Sequence, residues 1–293
     1  MSLIDCRDSV LSVLMTQSST ASNALSPAPT LRARRALWLH LLVILQSLFF
    51  VSPLFGQDPV TNVTAPIVTD RPSFTNSSIV VPSGSFQAEN GLLVTGNQGQ
   101  NILDGPETLL RAGVASRTEF RFTVPNYFYN LTTGGGPGSG FGDLAIGVKQ
   151  QLGPVAKFDV SATLLLSVPT GAPTVSSGGY DPTAQLAWSR GLTSKWTLAG
   201  MFSFSAPTQG SQRNSTGEST ILLNRQLARN WDAFVEYVGD FPEHGGSRQL
   251  MHFGTTLKVT SNQQLDFHVG VGVTSAAPKH FVGFGYSFRF FTR

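Results

Sequence analysis

Cysteine is nearly missing from this 293-residue chain: the single one, Cys6, lies close to the N-terminus. A disulfide framework, a CxxC redox centre and a thiolate metal site are thereby excluded. Charge is also scarce, with Asp, Glu, Lys and Arg making up 13% of the residues, against ~25% in ordinary soluble domains. The formal net charge is +3, and the basic residues are scattered apart from Arg32, Arg34 and Arg35. No nucleic-acid footprint results, so no nucleic-acid partner is expected. Long helical periodicity is missing after residue 57, and a mean hydropathy of +0.04 is far below that of a helical membrane protein. What the chain has in quantity is glycine, at 30 residues, and phenylalanine, at 21.

The N-terminal part reads as a targeting segment. Arg32-Ala33-Arg34-Arg35 precedes an apolar run from Ala36 through Val51, which Pro53 breaks before Gly56-Gln57. A positive stretch, an apolar stretch and a small residue in this order match an export signal, with cleavage expected near Gly56. The alternative is an uncleaved helix, since the run is nearly long enough to span a bilayer. Cleavage would remove Cys6. The expected organisation is an N-terminal extension and signal peptide over 1–56, a periplasmic or lumenal segment over 57–83, and a barrel over 84–293. Asp58 to Pro82 is too rich in Pro, Asn and Thr to be a core strand.

From Gly84 onward the pattern has a period of two. Near the C-terminus Val282, Phe284, Tyr286, Phe288 and Phe290 alternate with Gly283, Gly285, Ser287 and Arg289. Lys157, Asp159, Ser161 and Thr163 alternate with Phe158, Val160, Ala162 and Leu164. Leu265, Phe267, Val269, Val271 and Val273 form another apolar set, and Thr118, Phe120 and Phe122 face away from Arg117, Glu119 and Arg121. Such alternation means strands with one greasy and one wet face. Segments of roughly ten residues suit tilted strands crossing a bilayer, and there are about twelve of them. Tight spacers such as Gly153-Pro154 and Ser261-Asn262 alternate with long Gly-rich ones such as Thr132–Gly140 and Pro169–Gly179.

The expected fold is therefore all-β, a transmembrane up-and-down antiparallel β-barrel of about twelve strands. A soluble sandwich or lipocalin-like barrel is the competing architecture. It would carry many more Lys and Glu on its outer face, whereas the polar positions here are mostly Ser, Thr, Gly, Gln and Asn. Trp188, Trp196, Trp231, Tyr127 and Tyr129 lie near segment ends, as an interfacial aromatic girdle requires.

Several phrases, in order, resemble one family. They include Thr69-Asp70-Arg71-Pro72-Ser73-Phe74-Thr75, Val81-Pro82-Ser83-Gly84-Ser85-Phe86-Gln87-Ala88-Glu89 and Glu107-Thr108-Leu109-Leu110-Arg111-Ala112-Gly113. Arg117–Arg121, Gly142–Lys149, Val168–Gly171, Glu236-Tyr237 and the terminal Phe281–Phe290 complete the set. Together they are similar to the outer-membrane family labelled "Putative MetA-pathway of phenol degradation". The resemblance implies an outer-membrane location and the passage of small, hydrophobic or aromatic compounds. It carries over no catalytic residue.

Few residues on this frame could bear chemistry. Gly134–Gly140 lacks the Gly-Lys-Ser/Thr ending of a phosphate loop, so it reads as a rim loop. His244, His252, His268 and His280 show no metal-ligand spacing, and no GxSxG elbow exists. No catalytic residue, metal or cofactor is expected, and the chain does not read as an enzyme. The candidates are lumen-lining charges: Arg117, Glu119, Arg121, Asp143, Lys149, Lys157, Asp159, Glu236, Asp266 and Arg289. A lysine or arginine on the lipid face costs about 2–4 kcal/mol at mid-membrane, so these should point inward. They could form a cross-barrel lattice that holds a narrow lumen shut. Alternatively, Arg117, Glu119 and Arg121 could line a selective constriction. Asp70-Arg71 is positioned to tuck the N-terminal segment into the lumen.

The sequence thus points to a passive outer-membrane pore or porter. Its partners would be outer-membrane lipid, a small-molecule solute, and the barrel-assembly machinery through the C-terminal strand. The alternatives are a structural or adhesive barrel with a blocked lumen, and a barrel enzyme acting on lipid.

Overall fold

A computed structural model of the protein describes residues 65–291, apart from residues 98 and 137. The expected export signal lies outside these residues. The first strands are β1 (Ser85–Asn97), β2 (Gln100–Gly105), β3 (Leu109–Ala115), β4 (Thr118–Thr123), β5 (Tyr127–Asn130) and β6 (Gly140–Phe141). Then come β7 (Leu144–Gln151), β8 (Asp159–Val168), β9 (Asp181–Gly191), β10 (Trp196–Ser205), β11 (Thr208–Gln209) and β12 (Gln212–Arg213). The last are β13 (Thr216–Ala228), β14 (Trp231–Pro242), β15 (Arg248–Thr260), β16 (Gln263–Gly272) and β17 (His280–Phe291).

Twelve of these strands form a closed antiparallel barrel in the order β1, β3, β4, β7, β8, β9, β10, β13, β14, β15, β16, β17, with β17 pairing back onto β1. The closing seam runs from Ser85 opposite Phe291 to Gly96 opposite His280. Closure removes the free edges that a sheet would otherwise expose to lipid. β2, β5 and β6 extend the wall at one end as outer halves of interrupted strands: β1 pairs with β3 through Phe86–Glu89 and with β2 through Leu93–Asn97. The interruptions fall at neighbouring places, around Pro106, Pro125 and Gly142. Backbone bonds keep the wall continuous there, from Gly91 N to Pro106 O, Val124 N to Thr108 O and Gly142 N to Asn126 O. β11 and β12 form a small separate hairpin.

The apolar residues face outward. Phe120, Phe202, Phe204 and Phe284 are each more than half exposed, while Arg111, Glu119, Lys149 and Glu236 are fully buried. That is the reverse of a soluble protein and suits a wall whose outer solvent is lipid. On β17 every residue from Phe281 to Phe290 keeps the alternation, with Gly283, Gly285, Ser287 and Arg289 turned inward. Short connections such as 228–231 and 260–263 share one end with the start of β1 and the end of β17. The longer ones, including 168–181 and 205–216, share the other. These are called the turn end and the loop end below.

Candidate functional site

The lumen is occupied by the chain itself. Ile67 N donates to Ser261 O in the β15–β16 turn, and Gly84 N donates to Gly113 O near the end of β3. Between these two anchors at the turn end the chain climbs into the barrel and returns. Its apex, Phe74, packs in an inward-facing apolar cluster with Leu93, Leu109, Val238, Leu250 and Phe281. Pro72 and the polar run that follows prevent a strand here, so the segment's backbone N–H groups need partners from elsewhere.

Wall carboxylates supply them. Glu89 Oε2 accepts from Asp70 N at 2.9 Å and Arg71 N at 3.0 Å. Glu236 accepts from Phe74 N at 2.9 Å, from Thr75 N at 2.7 Å and from the Thr75 hydroxyl at 2.6 Å. Glu119 Oε2 accepts from Val81 N at 2.7 Å. Bonds from N–H groups to ionised oxygens are about twice as strong as neutral ones.

Around them lies a buried ionic lattice. Arg111 reaches Glu89 at 2.8 Å, Glu119 at 2.9 Å and Asp70 at 3.5 Å. Asp70 also meets Arg121 at 2.6 Å and Lys149 at 3.2 Å, and Arg121 meets Glu119 at 2.9 Å. Arg71 pairs with Glu107 and, at 3.3 Å, with Asp266. The lattice therefore balances nearly to neutrality. The lumenal segment contributes one anion, Asp70, and one cation, Arg71, so its presence leaves the net charge of the wall unchanged.

A third feature joins the apex to the far wall. His252 Nδ1 lies 2.7 Å from Glu236 Oε2, and His252 Nε2 lies 3.0 Å from His268 Nδ1. His268 Nε2 is buried with no hydrogen-bond partner among the described residues. The tautomers in which His268 donates to His252 and His252 donates to Glu236 satisfy both contacts. Phe74 packs edge-on against His252, with ring centroids 5.0 Å apart. Among the described residues, no group of three His, Cys, Asp or Glu side chains is placed to hold a metal ion.

The residues singled out in the sequence fall at different places in the barrel. Glu119, Arg121, Lys149 and Asp266 meet in the lattice, and Glu236 holds the apex. Arg289 lies nearer the turn end, where it donates to Ala65 O and to Asn262 Oδ1. Arg117 is half-buried in the turn before β4, Asp159 is half-buried at the start of β8, and Lys157 is exposed in the turn before it. Asp143 accepts from Gly171 N, Ser176 Oγ and Ser177 N, and so ties down the 168–181 connection. Sequence reading passed over Glu89, Glu107 and Arg111 as site residues. Two of them were legible, because Glu89 alternates with Ala88 and Asn90, and Arg111 with Leu110 and Ala112. The His252–His268 contact was not, since it depends on the β15–β16 register, in which His252 faces Gly270 and His268 faces Gly254.

A closed barrel of this kind has counterparts among known proteins. A family model described as "Putative MetA-pathway of phenol degradation" matches residues 69–290. The chain belongs to this family. The matched span opens at Thr69, so the lumenal segment from Asp70 onward lies inside it. Among solved structures, the NanC porin is similar at 8% identity and a TM-score of 0.51, covering 69% of this chain and 98% of that one. The KdgM porin, at 8% identity and a TM-score of 0.47, covers 70% of this chain and 99% of its own. At such identity the NanC likeness concerns the fold alone: this family member has a porin-like barrel fold. No curated protein matches the chain.

Proposed function

We propose that the protein is an outer-membrane porter that lets small, hydrophobic or aromatic compounds move down their gradient. The observation that carries this reading is a lumen closed by a tethered segment of the same chain and crossed by the apolar cluster around Phe74. The segment is held by non-covalent contacts, some of them neutral hydrogen bonds that exchange with water at small net cost, so closure and passage are compatible. The family description supports small aromatic compounds as a class. In this reading the turn end faces the periplasm, and export proceeds through the signal expected at residues 32–56. Lipid surrounds the aromatic outer face, and the β17 strand addresses the chain to the barrel-assembly machinery.

The depth of the ionic lattice favours a second reading, a structural barrel with a permanently blocked lumen. Single-channel recording of the refolded protein in a planar bilayer separates the two, beside a gel in which folded and boiled samples migrate differently. A folded band with discrete conductance steps supports the porter. A folded band with no conductance under any applied voltage supports the blocked barrel.

A further inference from the structure

The lumenal segment is held unequally on its two sides. Toward β1, β3, β4 and β7 it meets charge: Glu89, Arg111, Glu119, Arg121 and Lys149 engage residues 68–81. Toward β9 its returning limb meets the wall through neutral contacts, while on its inner side Ser77 N donates to Asp70 Oδ1 at 2.9 Å. Asn76 Nδ2 donates to Gln185 Oε1 at 2.7 Å, and the hydroxyls of Ser78 and Ser189 lie 2.7 Å apart. Neutral hydrogen bonds are exchanged with water at small net cost, whereas separating a buried ion pair strands a charge. The β9 side is therefore the weaker of the two holds.

A cavity already lies there. It has a volume of about 260 Å³ between residues 67–79 of the segment and the turn-end halves of β9, β10 and β13 to β16. That is just under the ~300–1,000 Å³ of common small-molecule sites. Ser73, Ser77, Thr197, Asn224 and Thr256 give it a hydroxyl and amide lining, with Ala199, Leu222 and Phe234 as apolar relief. Its two wall charges neutralise each other, Lys258 Nζ lying 3.0 Å from Asp232 Oδ2.

We propose that this cavity is the transit site at the turn end, and that solutes pass beside the segment instead of displacing it. The limb around Asn76–Ser78 swings off Gln185 and Ser189, while the charged side stays fixed as the hinge. A lining of hydroxyls, amides and apolar carbon, with Arg71 paired to Glu107 and Asp266 and Lys258 to Asp232, suits small neutral molecules that carry a hydrogen-bonding group. Once opened and filled with water, the route also passes the small electrolyte ions that a conductance recording reads. The inference rests on the porter reading and adds to it the route and the chemical class.

The test locks the limb. Ser78→Cys and Ser189→Cys are introduced together, with Cys6→Ser throughout. The hydroxyls lie 2.7 Å apart, so the two positions are close enough for a disulfide to be attempted, and its formation is checked by thiol titration before recording. Conductance is recorded oxidised and after a reductant, with the single-cysteine variants as controls. At least a tenfold lower conductance in the oxidised double variant, recovered on reduction, is expected. Equal conductance in both states overturns the proposal. Ala199→Trp is the second variant, since it fills the cavity without touching a segment bond. It should lower conductance at least fivefold, and an unchanged value in a folded barrel overturns the proposal as well. If the unmodified protein never conducts, the porter reading fails and takes this route with it. If that protein conducts and both variants conduct equally well, only the route is wrong.

Discussion

The guanidinium of Arg71 lies in the space left by the missing side chain of Gly91, where a Cβ would fall 2.2 Å from Arg71 Cζ. Gly91 is paired across the closing seam with Gly285, and a Cβ there would fall 2.5 Å from Arg71 Nε. Two facing glycines on the first and last strands thus open a slot for a residue that precedes both. The seam and the lumenal segment shape one another, and Glu107 and Asp266 hold the guanidinium in place.

Gly91→Ala should therefore dislodge Arg71 and leave Glu107 and Asp266 without their cation. Breaking a buried pair in this way costs about 3–5 kcal/mol. The expected outcome is a lower urea midpoint for the folded barrel, together with larger or more frequent conductance steps. An unchanged midpoint and unchanged conductance would show that the slot has no such role.

Arg111 and Lys149 should differ in weight. Arg111→Met removes the cation that Glu89, Glu119 and Asp70 share, leaving Glu119 with Arg121 and Asp70 with Arg121 and Lys149, and is expected to cost about 3–5 kcal/mol. Lys149→Met leaves Asp70 still paired with Arg111 and Arg121, so its loss should be less than half as large. Denaturant midpoints of the two variants, measured side by side in the same lipid, check the order.

The outer face gives a separate check on the membrane reading. Phe284 sits mid-strand on β17, opposite Leu92 and Phe267, with its ring exposed. Phe284→Arg should cost about 2–4 kcal/mol in a bilayer and lower the folding yield into vesicles, while Phe284→Leu should fold nearly as well as the parent. Equal yields for the two would argue against lipid contact at this position.

Much of this was legible before any coordinates. The alternation at Phe281–Phe290 and at Gln264–Val273 follows from the strand period, so the barrel, its strand number and its inward and outward faces could be read directly. The role of Asp70-Arg71 was legible in part, since a charged pair ahead of the first strand has few places to go. Other features depend on distances along the wall that no local pattern encodes. Glu236 meets Thr75 across 161 residues, and His252 meets His268 through the register of two strands. Lys157 shows the opposite error: it continues the alternation of β8, yet the chain turns there with a φ of 72° and the side chain leaves for solvent. Periodicity marks which face a residue would take, while the strand ends are set by turns.

The most direct test of the central claim, that residues of the N-terminal segment close the lumen, is conductance with and without residues 58–80. Asp70 and Arg71 leave together, so the charge balance of the wall is kept and the barrel should still fold, as the gel shift on boiling will report. The account predicts that the shortened barrel conducts several-fold more than the intact one. Equal conductance in the two proteins would contradict it.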